Sequence, residues 1–163
     1  MDLEQNFKNA LSSWASGVSV VTAKQDDLVY GLTVSSFSSL SLDPPLILVC
    51  IAESNRMGSM VRETGAFSVS LLGANQEELS NHFAKPGREP VAELGYPSRL
   101  AANGVPVLEH AIASVACTLH EAVRLGTHTI FAGRVVDASA DESVQPLLYF
   151  RRGYRAVSTP DEA

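Results

Sequence analysis

Apolar residues recur at Leu3, Phe7, Leu11 and Trp14, the spacing of one face of an amphipathic helix that ends before Gly17. Such a face needs another surface to pack on. From Gly17 the period changes. Residues 17–23 (GVSVVTA) are rich in β-branched side chains, Gln25, Asp26 and Asp27 supply turn chemistry, and residues 28–36 (LVYGLTVSS) resume the strand pattern, so the pair predicts a hairpin. Residues 46–52 (LILVCIA) are continuously apolar, as expected of a strand buried on both faces.

Further along, Ser54 stands where it can cap a short helix over residues 55–62, and residues 66–72 (AFSVSLL) return to a strand pattern. Asn75, three before Glu78, marks the start of a second helix that runs through Phe83 and breaks at AKPGREP. Residues 91–106 read as a loop punctuated by Gly95, Pro97, Gly104 and Pro106. Residues 111–123 then alternate, with Val115, Cys117 and Leu119 on one face and Ala116, Thr118 and His120 on the other. Residues 128–138 follow across Gly126 and Thr127 as the hairpin partner, and LLYF and YRAV close the chain as short strands. About seven strands with two or three helices among them predict a mainly β fold, an antiparallel barrel with peripheral helices.

Length and composition sharpen this picture. The 163 residues suit a single domain, 1–163, with its core over about residues 7–157. Hydrophobic residues at 45% and charged residues at 18% are the balance of a folded globule and not of a disordered chain. A net charge of -6 argues against a nucleic-acid partner, because a phosphate backbone needs clustered Lys and Arg. A small anionic ligand needs only a few local cations. No segment approaches the roughly 20 apolar residues of a membrane span, and the start Met1-Asp2-Leu3-Glu4 is too acidic for a secretion signal, so no membrane association and a cytoplasmic location are the default expectation. Cys50 and Cys117 stand alone in apolar runs, without CxxC spacing or clustered His, and are expected as reduced core residues with no metal.

The familiar chemical signatures are missing. No two glycines stand two apart, so GxGxxG is absent, as are GxxxxGK[ST], GxSxG, HExxH and the calcium-loop pattern. Abundant serines guarantee chance Ser, His and Asp combinations, so a triad cannot be read from counting. What stands out instead is residues 31–46, GLTVSSFSSLSLDPPL, where six of the nine residues 33–41 carry hydroxyls. Ser and Thr tolerate extended backbone and make local turns, so a strand followed by a loop accounts for the stretch as plain structure. The alternative is a polar edge that holds a polar ligand.

One ordered set spans the chain: Trp14-x-x-Gly17-Val18, VVTA, GLTVSSFSSLSLDPPL, FAK, GTHTIFAGRV and PLLYFRRGY. Together these resemble the flavin reductase-like family, over residues 7–154. The resemblance implies an FMN-binding split β-barrel of Greek-key type, and an NAD(P)H-dependent flavin reductase that supplies reduced FMN or FAD to a flavin-dependent monooxygenase component. NADH or NADPH would be the hydride donor. It also implies a homodimer with flavin at the subunit interface.

The resemblance implies site residues too. The segment Leu32, Thr33, Val34, Ser35 and Ser36 would lie along the flavin ring, where small hydroxyls and main-chain groups can meet its polar edge. Asp43-Pro44-Pro45 fixes the turn into the next strand, since Pro sets φ and restricts the residue before it. Cys50, Ile51 and Ala52 would run beside the ribityl chain. Ser54, Asn55, Arg56 and Met57 open a short helix whose N-terminal amides suit a phosphate, and Phe83 and Lys85 begin a second phosphate-contacting segment that includes Arg88. His128, the catalytic candidate, matches the family's Gly-Asp-His segment beside the nicotinamide, with Thr127 in place of the Asp. Phe150, Arg151 and Tyr154 match the nicotinamide end. His82, His110 and His120 match no such motif. Two readings remain open beside this one: a non-catalytic flavin-binding electron carrier on the same barrel, and a pyridoxamine-phosphate oxidase-like protein, which would carry more basic residues.

Overall fold

The opening stripe forms helix α1 (Leu3–Ser12), capped by the Asp2 side chain, which accepts a hydrogen bond from the Gln5 N–H at 2.9 Å. The computed structural model describes residues 2–158; Met1 and residues 159–163 lie outside it. After α1 come β1 (Ser16–Gly17), β2 (Ser19–Gln25), β3 (Leu28–Val34), β4 (Phe37–Leu42) and β5 (Pro45–Ala52). Helix α2 (Arg56–Thr64), β6 (Ala66–Leu71) and helix α3 (Glu77–Ala84) follow. The chain ends with β7 (Ser98–Leu100), β8 (Pro106–Leu108), the long pair β9 (Ala113–Leu125) and β10 (His128–Ala140), and the short pair β11 (Leu148–Phe150) and β12 (Gly153–Arg155).

Seven strands join into one antiparallel sheet in the order β3-β2-β6-β9-β10-β5-β4, curled as a split barrel. The hairpins β2–β3 and β9–β10 fall where alternation and turn residues place them. Two small sheets, β1-β11-β12 and β7-β8, flank the barrel.

Five expectations need correction. Residues 91–106 are not a plain loop, because they hold β7 and the start of β8, which pair with each other. The hydroxyl-rich residues after β3 are not a loop: they form β4, an outer strand of the sheet whose exposed Ser38 and Ser39 suit a solvent-facing edge. Strand β5 is buried on one face only. Ile47, Val49 and Ile51 enter the core, while Leu48, Cys50 and Ala52 remain half-buried on the other side. The cap of α2 is Asn55, not Ser54, because the Asn55 side chain accepts from the Met57 N–H at 2.9 Å. Helix α3 begins at Glu77 with no side-chain cap, so Asn75 does not start it.

Val20 and Val21 point to opposite faces of β2 and belong to two different apolar clusters. In the first, α2 inserts Met57, Met60 and Val61 against Val49, Phe67 and Phe131. In the second, Leu79 and Phe83 of α3 pack against the other face with Val20, Leu72 and Leu147. Close approach explains two glycines: a Cβ on Gly31 would lie 2.6 Å from the Phe83 ring, and one on Gly133 would lie 2.5 Å from Phe67 Cζ. Gly31 thereby lets α3 sit directly on β3, just before the Thr33–Ser36 stretch.

Among the described residues the apolar stripe of α1 finds no surface to pack on. No residue of α1 is buried, Leu3 is 86% exposed, and Trp14 just beyond the helix is 78% exposed. Among the described residues no helix is long and apolar enough to cross a membrane.

Candidate functional site

The end of β3, the outer side of α3 and the β11–β12 hairpin enclose a cleft of about 390 Å³. Thr33, Val34 and Ser35 line one side, Asn81 and Ala84 another, and Tyr149, Arg152 and Tyr154 a third. Hydrogen bonds fix these walls. Thr33 Oγ1 donates to the Ser80 carbonyl at 2.7 Å, and the Tyr154 hydroxyl donates to Asn81 Oδ1 at 3.0 Å. Since that hydroxyl has one proton, Ser80 Oγ donates to it across 2.8 Å. The Tyr149 and Tyr154 rings meet edge to face at 5.5 Å. The hairpin turn uses left-handed Arg151 (φ 48°) and Arg152 (φ 62°), a costly choice for side chains of this size.

A second, more apolar cleft of about 370 Å³, lined by Trp14, Phe37, Leu71 and Leu147, shares Val18 and Ser35 with the first. Ser35 therefore stands between the two, exposed. A flat heteroaromatic ring with a polar edge fits this setting, because small side chains and main-chain groups leave room and aromatic walls flank it. A larger cleft, about 850 Å³, lies toward the start of β3 near Val29 and holds none of the candidate ligand-binding or catalytic residues.

The hydroxyl-rich stretch serves partly as internal stapling. Ser36 Oγ donates to the Cys50 carbonyl at 2.8 Å and accepts the Cys50 N–H at 3.1 Å, fastening the end of the β3 segment to β5. With Thr33 committed to Ser80, Ser35 is the hydroxyl of this segment that faces both clefts. Burial raises the Cys50 thiol above its ordinary value and pushes the Cys117 thiol up to about 12, so both stay protonated at neutral pH and neither offers a thiolate.

At the far end of β5 lies a charged corner. Ala52 is opposite His128 in the β5–β10 ladder, and His128 is exposed with its Nδ1 3.0 Å from Thr127 Oγ1. Next to it the Glu53 carboxylate accepts from the buried Thr129 hydroxyl and from Arg62 Nη2 at 3.1 Å. The Thr129 hydroxyl first, and then Arg62, hold the Glu53 carboxyl below the ordinary carboxylate range. A carboxyl lowered in this way stabilises the fold above its unfolded-state pKa, and loses that contribution as pH falls through the folded value, so the corner is complete throughout neutral pH.

The remaining sequence candidates divide between ligand-facing and core positions. Ser54 is exposed at the turn into α2, and Arg56 pairs with Glu89 at 3.0 Å, which joins the start of α2 to the segment after α3. Lys85 is exposed and lines a neighbouring cleft with His82 and Tyr96. The side chains of Ile51, Met57 and Phe83 are fully buried in the two clusters, and Leu32 packs against the first; what these four offer a ligand is main chain. Phe150, under the Arg151 guanidinium at 5.1 Å, and Arg151 itself lie outside the cleft lining, whereas Arg152 is in it. Arg88 donates to the Gly31 carbonyl at 2.7 Å and covers the Phe83 ring at 4.7 Å, a structural brace.

Sequence reasoning missed Asn81, Ala84 and Tyr149 in the cleft and Glu53, Arg62 and Thr129 at the corner. Asn81 and Ala84 had a usable signal, since residues three apart on a helix share a face. Among the described residues no cluster of His, Cys, Asp and Glu is arranged to hold a metal ion.

Comparison with known proteins bears on the fold and the family. The flavin reductase like domain matches residues 11–158. An NADH-dependent flavin reductase of a Rhodococcus species is 37% identical over 155 residues, covering 93% of this chain and 85% of the relative. The reductase component of 4-hydroxyphenylacetate 3-monooxygenase from Thermus thermophilus is 37% identical over 159 residues, 97% and 99% of the two chains. Among solved structures, the NADH:FAD oxidoreductase SgcE6 of Streptomyces globisporus, in complex with NAD and FAD fragments, superimposes with a TM-score of 0.89 at 29% identity, covering 99% of this chain and 96% of that one. A domain match over nearly the whole length, with relatives above a third identical across it, means that this chain belongs to the flavin reductase-like family.

Proposed function

We propose that this NAD(P)H-dependent flavin reductase binds FMN or FAD along residues 32–36 and the exposed side of β5, and receives the nicotinamide beside His128 and Tyr154. The observation that carries the reading is the exposed Ser35 between two clefts, on a segment whose neighbours Thr33 and Ser36 are hydrogen-bonded to α3 and β5 and so held rigid. Held there together, flavin and nicotinamide would supply the redox chemistry, transfer of a hydride from the one to the other. The protein's own part is stacking, orientation and exclusion of water. Main-chain N–H groups near Ser35 stabilise negative charge at the polar edge, and Ser54, Asn55, Arg56 and Lys85 supply amides and cations for a phosphate. The reduced flavin would pass to a flavin-dependent monooxygenase, in keeping with the Thermus relative's name.

The test is direct. Purified protein is mixed with NADH or NADPH and with FMN, FAD or riboflavin, and loss of reduced-nicotinamide absorbance is followed. Flavin-dependent oxidation supports the reading, and flavin binding without oxidation of either nucleotide replaces it with an electron carrier.

The second copy belongs to the same proposal. Leu3, Phe7, Leu11 and Trp14 present an apolar stripe that no other described residue covers, and the outer face of β5 is only half-buried. A homodimer would bury both. Sedimentation at micromolar concentration should give a dimer, and a fully active monomer would remove the shared-site arrangement.

A further inference from the structure

Glu53 holds the chain on both sides of His128. Its main-chain N–H donates to the Thr127 carbonyl at 2.9 Å, and its carboxylate accepts from the Thr129 hydroxyl. Arg62 of α2 completes the ring, with Nη2 2.7 Å from Thr129 Oγ1 and 3.1 Å from Glu53 Oε1 and its guanidinium 5.1 Å from the centre of the Phe131 ring. Arg124, opposite Thr129 on β9, brings Nε to 3.7 Å from Glu53 Oε2. Thr129 is fully buried and His128, its neighbour on the alternate face, is exposed.

This end of the β9–β10 hairpin needs such a clamp. Strand β6 pairs with β9 only up to Thr118, so beyond Leu119 the outer edge of β9 has no strand beside it among the described residues. The tip is held by β5 and by the Glu53 ring. We propose that Glu53 is a positioning residue for the nicotinamide site: by fastening Thr127 and Thr129 it fixes the direction in which His128 leaves the strand, and through Arg62 it ties that direction to helix α2. This rests on the reading that the nicotinamide lies beside His128. Displacing the carboxylate would leave the buried Thr129 hydroxyl without its acceptor, which costs more than rehydrating the exposed charges around it.

A double-mutant cycle on the full-length protein tests it, with the KM for NADH, kcat and flavin affinity measured for wild type, Glu53→Ala, His128→Ala and the double variant. Glu53→Ala should raise the KM for NADH about fivefold and leave kcat within about twofold, since misorientation of a binding group weakens that contact more than the reaction. In the His128→Ala background the same substitution should add almost nothing. An equal factor in both backgrounds overturns the positioning role while leaving the nicotinamide reading intact. An unchanged KM in His128→Ala protein overturns both. Should Glu53→Ala fail to fold, Thr129→Val and Thr129→Ser replace it: the serine keeps the hydroxyl and should retain the wild-type KM, the valine should not, and equal KM values in the two overturn the proposal.

Discussion

Ser35→Leu protein should bind flavin ten- to hundredfold more weakly than wild type and yet unfold, without ligand, at nearly the same temperature. Ser35 is exposed and lines both clefts, so three extra carbons project into ligand space and not into either apolar cluster. Overfilling a fitted space costs about 1–3 kcal/mol, and each 1.4 kcal/mol is about a tenfold change in affinity. The apo fold should lose little, because substitutions at exposed positions free of special contacts stay within about 0.5 kcal/mol. Quenching of flavin fluorescence on titration gives the affinity, and thermal unfolding followed by circular dichroism gives the stability. Equal flavin affinity in the two proteins would take this segment out of the site.

The contrast between Ser35 and its neighbours shows what the sequence can and cannot convey. Hydroxyl content marked residues 33–41 as unusual, but composition does not say which hydroxyls are spent inside the fold. Thr33 and Ser36 bond to Ser80 and Cys50, partners set by how α3 and β5 pack, and only the three-dimensional arrangement leaves Ser35 between the clefts. Strand β4 escaped the pattern for a related reason. An edge strand with Ser38, Ser39 and Leu40 all exposed has no buried face to impose a period of two. The reading of β5 erred in the opposite direction: continuous apolarity suggested burial on both faces, although one face is only half-covered within a single chain.

The helices and hairpins were legible because their signals are local. The α1 stripe, the turn residues Gln25, Asp26 and Asp27, and the alternation from Val115 to Leu119 each lie within a dozen residues. Glu53, Arg62 and Thr129 were not legible, since they come from the end of β5, from α2 and from β10 and meet only when the sheet closes. The left-handed backbone at Arg151 and Arg152 had no local signal. A turn with two positive φ values ordinarily takes Asn or Gly, so the chain here gives up local ease for a hairpin whose Arg151 N–H caps the Ser12 carbonyl at the end of α1 and whose Arg152 reaches the cleft.

Replacing His128 by Ala separates the two substrates from each other. The imidazole is exposed opposite Ala52, outside both apolar clusters, and its Nδ1 lies 3.0 Å from the Thr127 hydroxyl. If it borders the nicotinamide it contributes stacking and one hydrogen bond, together about 1–2 kcal/mol. Losing them should raise the KM for NADH roughly tenfold, with kcat affected less, because a contact made equally in the ground and transition states changes binding and not turnover. Flavin affinity should barely move, since the flavin ring lies along the β3 end of the site in this reading. A purely structural histidine predicts another outcome, lower stability with parallel losses in every kinetic constant, because a damaged fold does not choose between substrates. Stopped-flow reduction of bound flavin over a range of NADH concentrations distinguishes the two, and an unchanged apparent NADH affinity in well-folded His128→Ala protein would remove the residue from the site.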